Sequence, residues 1–315
     1  MKILITGVHG FVGSNLVNYL APKNELFGLD IIAPEKQGVG RTYSWDDLEA
    51  GRVPEVDAII HLAGKAHDTK NQTEAEVYFK VNRDLTIKIF DYFSEYSNIK
   101  KFVFFSTAKA AADKVDGILT EDVVPAPVGP YGESKIAAEK YILNCMENRS
   151  FQFEGRGVYI FRPCMIHGPG NKGNLNLLYH VVKKGIPWPL GAFENRRTFT
   201  SIENICFAVN GVLTKDVPSG IFNMGDDEAL STNELIEEIC KSLGKKALIW
   251  KLPKGLMNGI ARMGDILHLP LNSERLRKLT ENYISSNEKI KKALGVEKMP
   301  VDAREGLKVT LESFK

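Results

Sequence analysis

The chain opens on an apolar run, Met1-Lys2-Ile3-Leu4-Ile5-Thr6, with the length and texture of a buried parallel strand. Gly7-Val8-His9-Gly10-Phe11-Val12-Gly13 follows at once, and Ser14 to Leu20 then places apolar residues at helical spacing. Leu26 to Asp30 reads as a second strand that ends on an acid. Asp57–Gly64, Lys101–Ser106 and Val158–Arg162 read as further buried strands. Between them, Glu74 to Tyr96 carries a helical stripe of Val77, Val81, Leu85, Ile89 and Phe93. Arg41–Trp45, bounded by Gly40 and Asp46, is the weakest of the strand patterns. Strands alternating with helices in this way predict an α/β fold, a parallel sheet covered by helices on both faces.

The texture changes after Pro163. Gly168 to Asn174 is a loop by composition, and Ile186-Pro187-Trp188-Pro189-Leu190-Gly191 is a second break. Thr198–Ile202 and Ile221–Met224 are expected to return to the sheet. From Thr232 onward short helical patterns mix with Pro253 and Pro270. The expected organisation is a nucleotide-binding domain over 1–165, with return segments near 198–225. Residues 166–197 and 226–315 would form a smaller substrate-binding domain, a lid over the C-terminal edge of the sheet. Internal repeats and low-complexity stretches are absent.

Strand, glycine turn and helix is the context a dinucleotide-binding loop requires, so the sheet is expected to be doubly wound and of Rossmann type. Gly7 allows the tight turn, Gly10 lets backbone approach a pyrophosphate, and Gly13 lets helix pack on strand, with the helix N-terminus facing the anion. Asp30 lies 17 residues after Gly13, where a carboxylate accepts from ribose hydroxyls and repels a 2′-phosphate. The expected cofactor is therefore NAD rather than NADP. Arg41 is the nearby cation that bears on that choice.

Composition narrows the partners. With 41 Lys or Arg against 39 Asp or Glu, the net charge of +2 does not point to nucleic acid or an anionic membrane as the main partner. Glu288-Lys289-Ile290-Lys291-Lys292 reads as a solvated helix face. No apolar run approaches the ~20 residues of a membrane span, and no signal peptide is expected. Cys145, Cys164, Cys206 and Cys240 are scattered, which suits reduced thiols in a cytoplasm. The histidines lack metal-ligand spacing: His61 and His67 flank a strand end without a third ligand, and no metal is expected.

The chemistry centres on Tyr131-Gly132-Glu133-Ser134-Lys135. Tyr and Lys four apart share one helix face. A Lys ammonium in reach favours the phenolate and lowers a Tyr pKa from its usual ~10, which makes Tyr131 a usable acid or base. Pro125, Pro127 and Pro130 mark the start of that helix, and Ser106 and Thr107 sit at the C-terminal end of the strand before it. A hydroxyl, a Tyr and a Lys in this order resemble the catalytic triad of the short-chain dehydrogenase/reductase superfamily. Gly7-x-x-Gly10-x-x-Gly13, Asp30, His61-Leu62-Ala63-Gly64, Asn82, Ser106-Thr107, Tyr131-x-x-x-Lys135 and Arg162-Pro163 through Gly168-Pro169-Gly170 stand in register with its extended branch, the NAD-dependent epimerase/dehydratase family of nucleotide-sugar enzymes. The resemblance runs to about residue 210.

The resemblance implies roles. Tyr131 exchanges a proton with a sugar hydroxyl, Thr107 holds the same oxygen, and Lys135 binds the nicotinamide ribose. Gly7, Gly10, Phe11, Val12, Gly13, Asp30, Ile31, Leu62, Ala63, Asn82, Ser106 and Pro163 would line the cofactor with Tyr131 and Lys135. Lys109, Asn174, Leu175, Arg197 and Arg275 would meet the substrate, the arginines as clamps on its diphosphate. Arg277 is a further candidate beside Arg275. Two departures matter. Family dehydratases carry an Asp-Glu pair directly after the Thr, where this chain has Ala108 and Lys109, so 4,6-dehydration is not expected. UDP-galactose 4-epimerase has an Asn where this chain has Met165, and a Tyr where it has His167. The segment 168–199 is more similar to bacterial enzymes of surface-polysaccharide synthesis.

The expected activity is C4 epimerisation of a UDP-hexose or UDP-N-acetylhexosamine through a 4-keto sugar. The alternative is an NAD(P)H-dependent 4-ketoreductase of a UDP-4-keto-6-deoxy-N-acetylhexosamine. More remote is a non-catalytic nucleotide sensor on the same fold. Family members commonly dimerise through the Tyr helix and the long helix before it, so a homodimer is expected, with Val81, Leu85, Ile89, Ile136 and Ile142 serving either that face or the sheet.

Overall fold

The computed structural model describes residues 1–32, 34–66, 74–269 and 271–315; His67 and Pro270 lie outside them. Seven strands form one parallel sheet in the spatial order Gly220–Met224, Gly157–Pro163, Lys101–Phe105, Ala58–His61, Lys2–Thr6, Glu25–Leu29, Arg41–Tyr43. The chain therefore winds outward from Lys2–Thr6 in one direction and then crosses back to Ala58–His61 on its other side. That reversal opens a crevice at the carboxyl ends of these two strands, which is where ligands bind in open α/β sheets.

Alternation along each strand feeds two cores. Ile3, Ile5, Val103 and Phe161 pack on one face with the helices Phe11–Leu20 and Ile202–Thr214. Leu4, Ile59, Phe104 and Ile160 pack on the other, with Ile89, Phe90 and Phe93 from Leu85–Glu95 and Ala138 and Ile142 from Pro130–Asn148. A separate cluster joins Leu175 and Tyr179 to Leu235, Ile239 and Leu307. Ile290, Leu294 and Met299 pack into the first core, so the 226–315 segment is not confined to the smaller unit expected for it.

Several elements differ from the sequence expectation, each for a local reason. The third strand stops at Tyr43 because Ser44 caps a helix, Trp45–Glu49, reciprocally with Asp47. Of the two return segments, Gly220–Met224 joins the sheet edge, whereas Phe199–Ser201 pairs with Met165–His167 in a small sheet of its own. Lys291 is not solvated: its ammonium meets Asp227 at 3.1 Å and Glu288 at 2.7 Å. The long helix is interrupted by a wide π turn, Phe79–Asp84, between Ala75–Tyr78 and Leu85–Glu95. The turn's extra residue shifts the buried face to Tyr78, Asn82, Thr86, Ile89, Phe90 and Phe93. Val77 is exposed and Val81 and Leu85 are half-buried, off the stripe expected for them. Among the described residues no helix is long and apolar enough to cross a membrane.

Candidate active site

The glycine loop leaves the first strand at the switch point. Gly7 has φ +68°, and a Cβ there would lie 2.9 Å from the Ala63 nitrogen, so the turn requires glycine. A Cβ on Gly13 would meet the Gly7 carbonyl oxygen at 2.5 Å, so the helix starts hard against the strand. Gly10 sits at the helix N-cap in extended conformation, followed by Phe11 and half-buried Val12. The Asp30 carboxylate accepts from the His9 nitrogen at 3.1 Å and the Ile31 nitrogen at 2.8 Å. It thereby fastens the glycine loop to the end of the second strand, beside the exposed Ile31 side chain. Arg41 stacks on the Tyr43 ring at 4.9 Å. A cation that no motif marks, Lys36, reaches Ser14 Oγ at 2.9 Å.

The opposite wall is a chain of buried hydrogen bonds. Thr6 Oγ1 accepts from the Leu62 and Ala63 nitrogens at 3.1 and 3.0 Å and lies 2.7 Å from His61 Nδ1. Thr86 Oγ1 donates to the Asn82 carbonyl, so His61 Nε2–H donates to Thr86 and Nδ1 accepts from Thr6. Burial, with the Lys135 charge adding to it, keeps His61 well below its ordinary pKa and neutral. The Asn82 carboxamide accepts from the Lys65 nitrogen at 2.7 Å and donates to the Lys65 carbonyl and to Ser134 Oγ. The π turn is what aims Asn82 inward.

Tyr131 stands on the first turn of the Pro130–Asn148 helix, hydrogen-bonded to Thr107 and edge-on to Tyr78 at 6.3 Å between ring centres. Its phenol is pushed up from its ordinary value, chiefly by burial; the Thr107 hydrogen bond opposes this and Tyr78 adds to it. Lys135 is not among the causes, so the lowered phenol expected from the four-residue spacing is not what this geometry gives. The Lys135 ammonium instead donates to the Phe105 carbonyl at 2.8 Å, over the Phe104 ring, and burial lowers its pKa to about 8. Glu139 lies one further turn along. It is fully buried, pairs with Arg162 Nη2 at 2.5 Å and Nε at 3.0 Å, and accepts from Ser106 Oγ. Ser106 is thus held from behind, and the strand and the Tyr131 helix are tied together. Glu139 had a sequence signal, the same spacing of four repeated beyond Lys135; Tyr78 had none.

Beyond Thr107 the expected substrate side divides. Lys109 donates to the Asp113 carboxylate at 2.8 Å and lies 4.8 Å from the Tyr283 ring centre. Burial raises the Asp113 pKa, but the Lys109 hydrogen bond and the charges of Lys109, Arg277 and Lys278 outweigh it, so Asp113 stays ionised. Arg197 donates to the Lys278 carbonyl at 2.8 Å. Its charge and that of Lys109 both act on Cys164, which follows Pro163 at the end of its strand and whose thiol burial pushes up to about 12. Asn174 opens the helix Asn174–Lys183 as an exposed residue, while the Leu175 side chain is buried in the neighbouring cluster. Arg275 is exposed on Ser273–Thr280; Arg277 of the same helix approaches Asp113 at 3.8 Å. Among the described residues no three His, Cys, Asp or Glu side chains gather as metal ligands.

Residues 3–225 match the model of the NAD dependent epimerase/dehydratase family. The chain belongs to that family. Among curated relatives, the UDP-glucose 4-epimerase of Vibrio cholerae is 31% identical over 271 residues, 80% of this chain and 78% of that one. The GDP-6-deoxy-D-mannose reductase of Pseudomonas aeruginosa is 24% identical over 253 residues, 75% and 78% of the two chains. Among solved structures, the UDP-glucuronic acid 4-epimerase of Bacillus cereus in complex with NAD covers all of this chain and 98% of its own, at TM-score 0.74 and 21% identity. At that identity the likeness establishes the fold.

Proposed function

We propose that this family member is an NAD-dependent nucleotide-sugar C4 epimerase acting on a UDP-hexose or UDP-N-acetylhexosamine. The observation that carries the reading is the Thr107–Tyr131 hydrogen bond at the carboxyl edge of the sheet, with the Lys135 ammonium one turn behind it. The residues present fit NAD: the Gly7–Gly13 cradle rejects side chains, and Asp30 offers a carboxylate where the ribose would lie. Gly7 to Gly13, Asp30, Ile31, Leu62, Ala63 and Pro163 would hold it, with Lys135 and Asn82 at its nicotinamide end. When bound, NAD supplies a reversible hydride acceptor for the sugar C4.

The chain's own residues do the rest. Tyr131, as its phenolate, takes the O4 proton as C4 is oxidised, and Thr107 holds the same oxygen. Once the 4-keto sugar has turned, Tyr131 returns the proton. Lys109, Arg197, Asn174 and one of Arg275 and Arg277 would meet the diphosphate side, where a fork of donors suits two phosphates. Ala108 and Lys109, with Asp113 ionised and tied to Lys109, leave no evident acid for elimination of water. This supports epimerisation over dehydration.

The raised Tyr131 phenol favours a second reading in one respect. A protonated phenol is the form that donates to a ketone oxygen, as a UDP-4-keto-6-deoxy-N-acetylhexosamine reductase requires. A screen of UDP- and dTDP-sugars separates the two. An epimerase converts substrate without net NAD(P)H consumption and releases stoichiometric nucleotide on denaturation; steady NAD(P)H oxidation with a 4-keto sugar overturns it in favour of the reductase. Val77, Val81 and Leu85, left outside the core, also support a homodimer through the two helices at Tyr131 and Asn82. Sedimentation equilibrium tests that pairing.

A further inference from the structure

The Lys254–Leu267 helix carries more apolar surface than its own packing uses. Met257, Ala261 and Gly264 form its buried seam, against Leu190 and Leu276. A second seam, Leu256, Ile260, Met263 and Leu267, lies about one residue round the helix at the spacing i, i+4, i+7, i+11. These side chains are 52%, 38%, 57% and 59% exposed, and Ile266 beside them is 76% exposed. Asn258, Arg262 and Asp265 occupy the remaining polar face. Trp250, four residues before the helix, is 54% exposed although its backbone is pinned to Trp188.

Charge says what such a face meets. Residues 245–267, to the end of the helix, carry five Lys or Arg against a single acid, Asp265, in a chain whose 41 basic and 39 acidic residues nearly cancel. Lys246, Lys251 and Arg262 are exposed. A second copy of the chain would bring the same positive charge to the contact and be repelled, whereas an anionic surface is attracted. An apolar helix seam flanked by cations and preceded by an exposed Trp is the pattern of a helix that lies in a membrane interface rather than across it. The whole-chain charge balance averages this local asymmetry away.

We propose that this face docks the protein on an anionic lipid bilayer, with Leu256, Ile260, Met263 and Leu267 entering the interface and Lys246, Lys251 and Arg262 meeting headgroup phosphates. The adjoining Ser273–Thr280 helix carries Arg277, which approaches Asp113 on the substrate side, so the docked face borders the site. The proposal does not depend on which sugar is the substrate.

The test is flotation of the full chain with vesicles of phosphatidylglycerol and phosphatidylcholine, against vesicles of phosphatidylcholine alone. The wild type is expected to float with the anionic vesicles, weakly with the neutral ones, and less in high salt. Leu256→Glu/Ile260→Glu/Met263→Glu should lower partitioning about tenfold or more. Lys246→Gln/Lys251→Gln/Arg262→Gln should remove the preference for anionic vesicles and carries the test if the first variant loses its circular dichroism. Both should turn over soluble substrate like the wild type. Failure of the wild type to float, or flotation of both variants equal to that of the wild type, overturns the proposal. A dimer in light scattering that the Glu variant alone splits also overturns it, since a second copy then covers the face.

Discussion

Replacing Lys135 with Met should stabilise the protein at neutral pH while abolishing turnover. The ammonium is buried, and its pKa falls from an ordinary 10.5 to about 8 because burial outweighs the opposing pull of Glu139. A Lys with a lower folded than unfolded value binds its proton more tightly in the unfolded chain. The buried charge therefore costs stability below pH 8, and the cost is relieved as pH rises from about 8 towards 10.5. At ~1.4 kcal/mol per pH unit the full cost is roughly 3–4 kcal/mol, most of which is recovered between pH 7 and pH 10. Urea unfolding of nucleotide-stripped protein at pH 7, 8, 9 and 10 measures this. The wild type should gain roughly 2–3 kcal/mol more than Lys135→Met across that range, and groups common to both proteins cancel in the difference. If the two curves rise in parallel, Lys135 does not hold a buried charge and the reasoning fails. The stability penalty is the expected mark of a residue kept for chemistry.

Three further outcomes are expected. Tyr131→Phe should lower turnover of any accepted sugar by ~10²–10⁴-fold while leaving NAD binding in calorimetry intact; unchanged turnover would remove Tyr131 from the acid–base role. Glu139→Gln leaves Arg162 buried against a neutral partner and should cost ~3–5 kcal/mol in urea unfolding, with Glu139→Leu/Arg162→Met recovering most of it. Gly13→Ala forces a Cβ onto the Gly7 carbonyl, so a loss of ~1–3 kcal/mol and of NAD affinity is expected; wild-type affinity would show that the loop is less tightly packed than described.

Periodicity carried the central strands because each is a short apolar run that can do little else, whereas the edge strand Arg41–Tyr43 is mostly polar, and the glycine loop was legible because only Gly fits at 7 and 13. The π turn was not legible: inserting a residue into a helix leaves composition and apolar content untouched. The small Met165–His167 and Phe199–Ser201 sheet was missed because two three-residue strands look the same whichever partner they choose. In the site, spacing named Tyr131 and Lys135 but misjudged their coupling. Sequence distance does not reveal that the Phe105 carbonyl takes the ammonium first. The candidate substrate side was least legible, since Lys109, Arg197 and Arg277 converge through contacts between segments far apart in the chain.

The wide turn at Phe79–Asp84 works as a phase shifter. Upstream and downstream of it the helix is ordinary, and what it changes is which residues look inward. Deleting Arg83 or Asp84 would put Val81 four residues before the buried Thr86, in the place Asn82 holds, and turn Asn82 away. The carboxamide that bridges Lys65 and Ser134 and the apolar strip left on the outer surface would be lost in the same event. Deleting a residue between Asn82 and Thr86 should therefore prove far more damaging than most substitutions there.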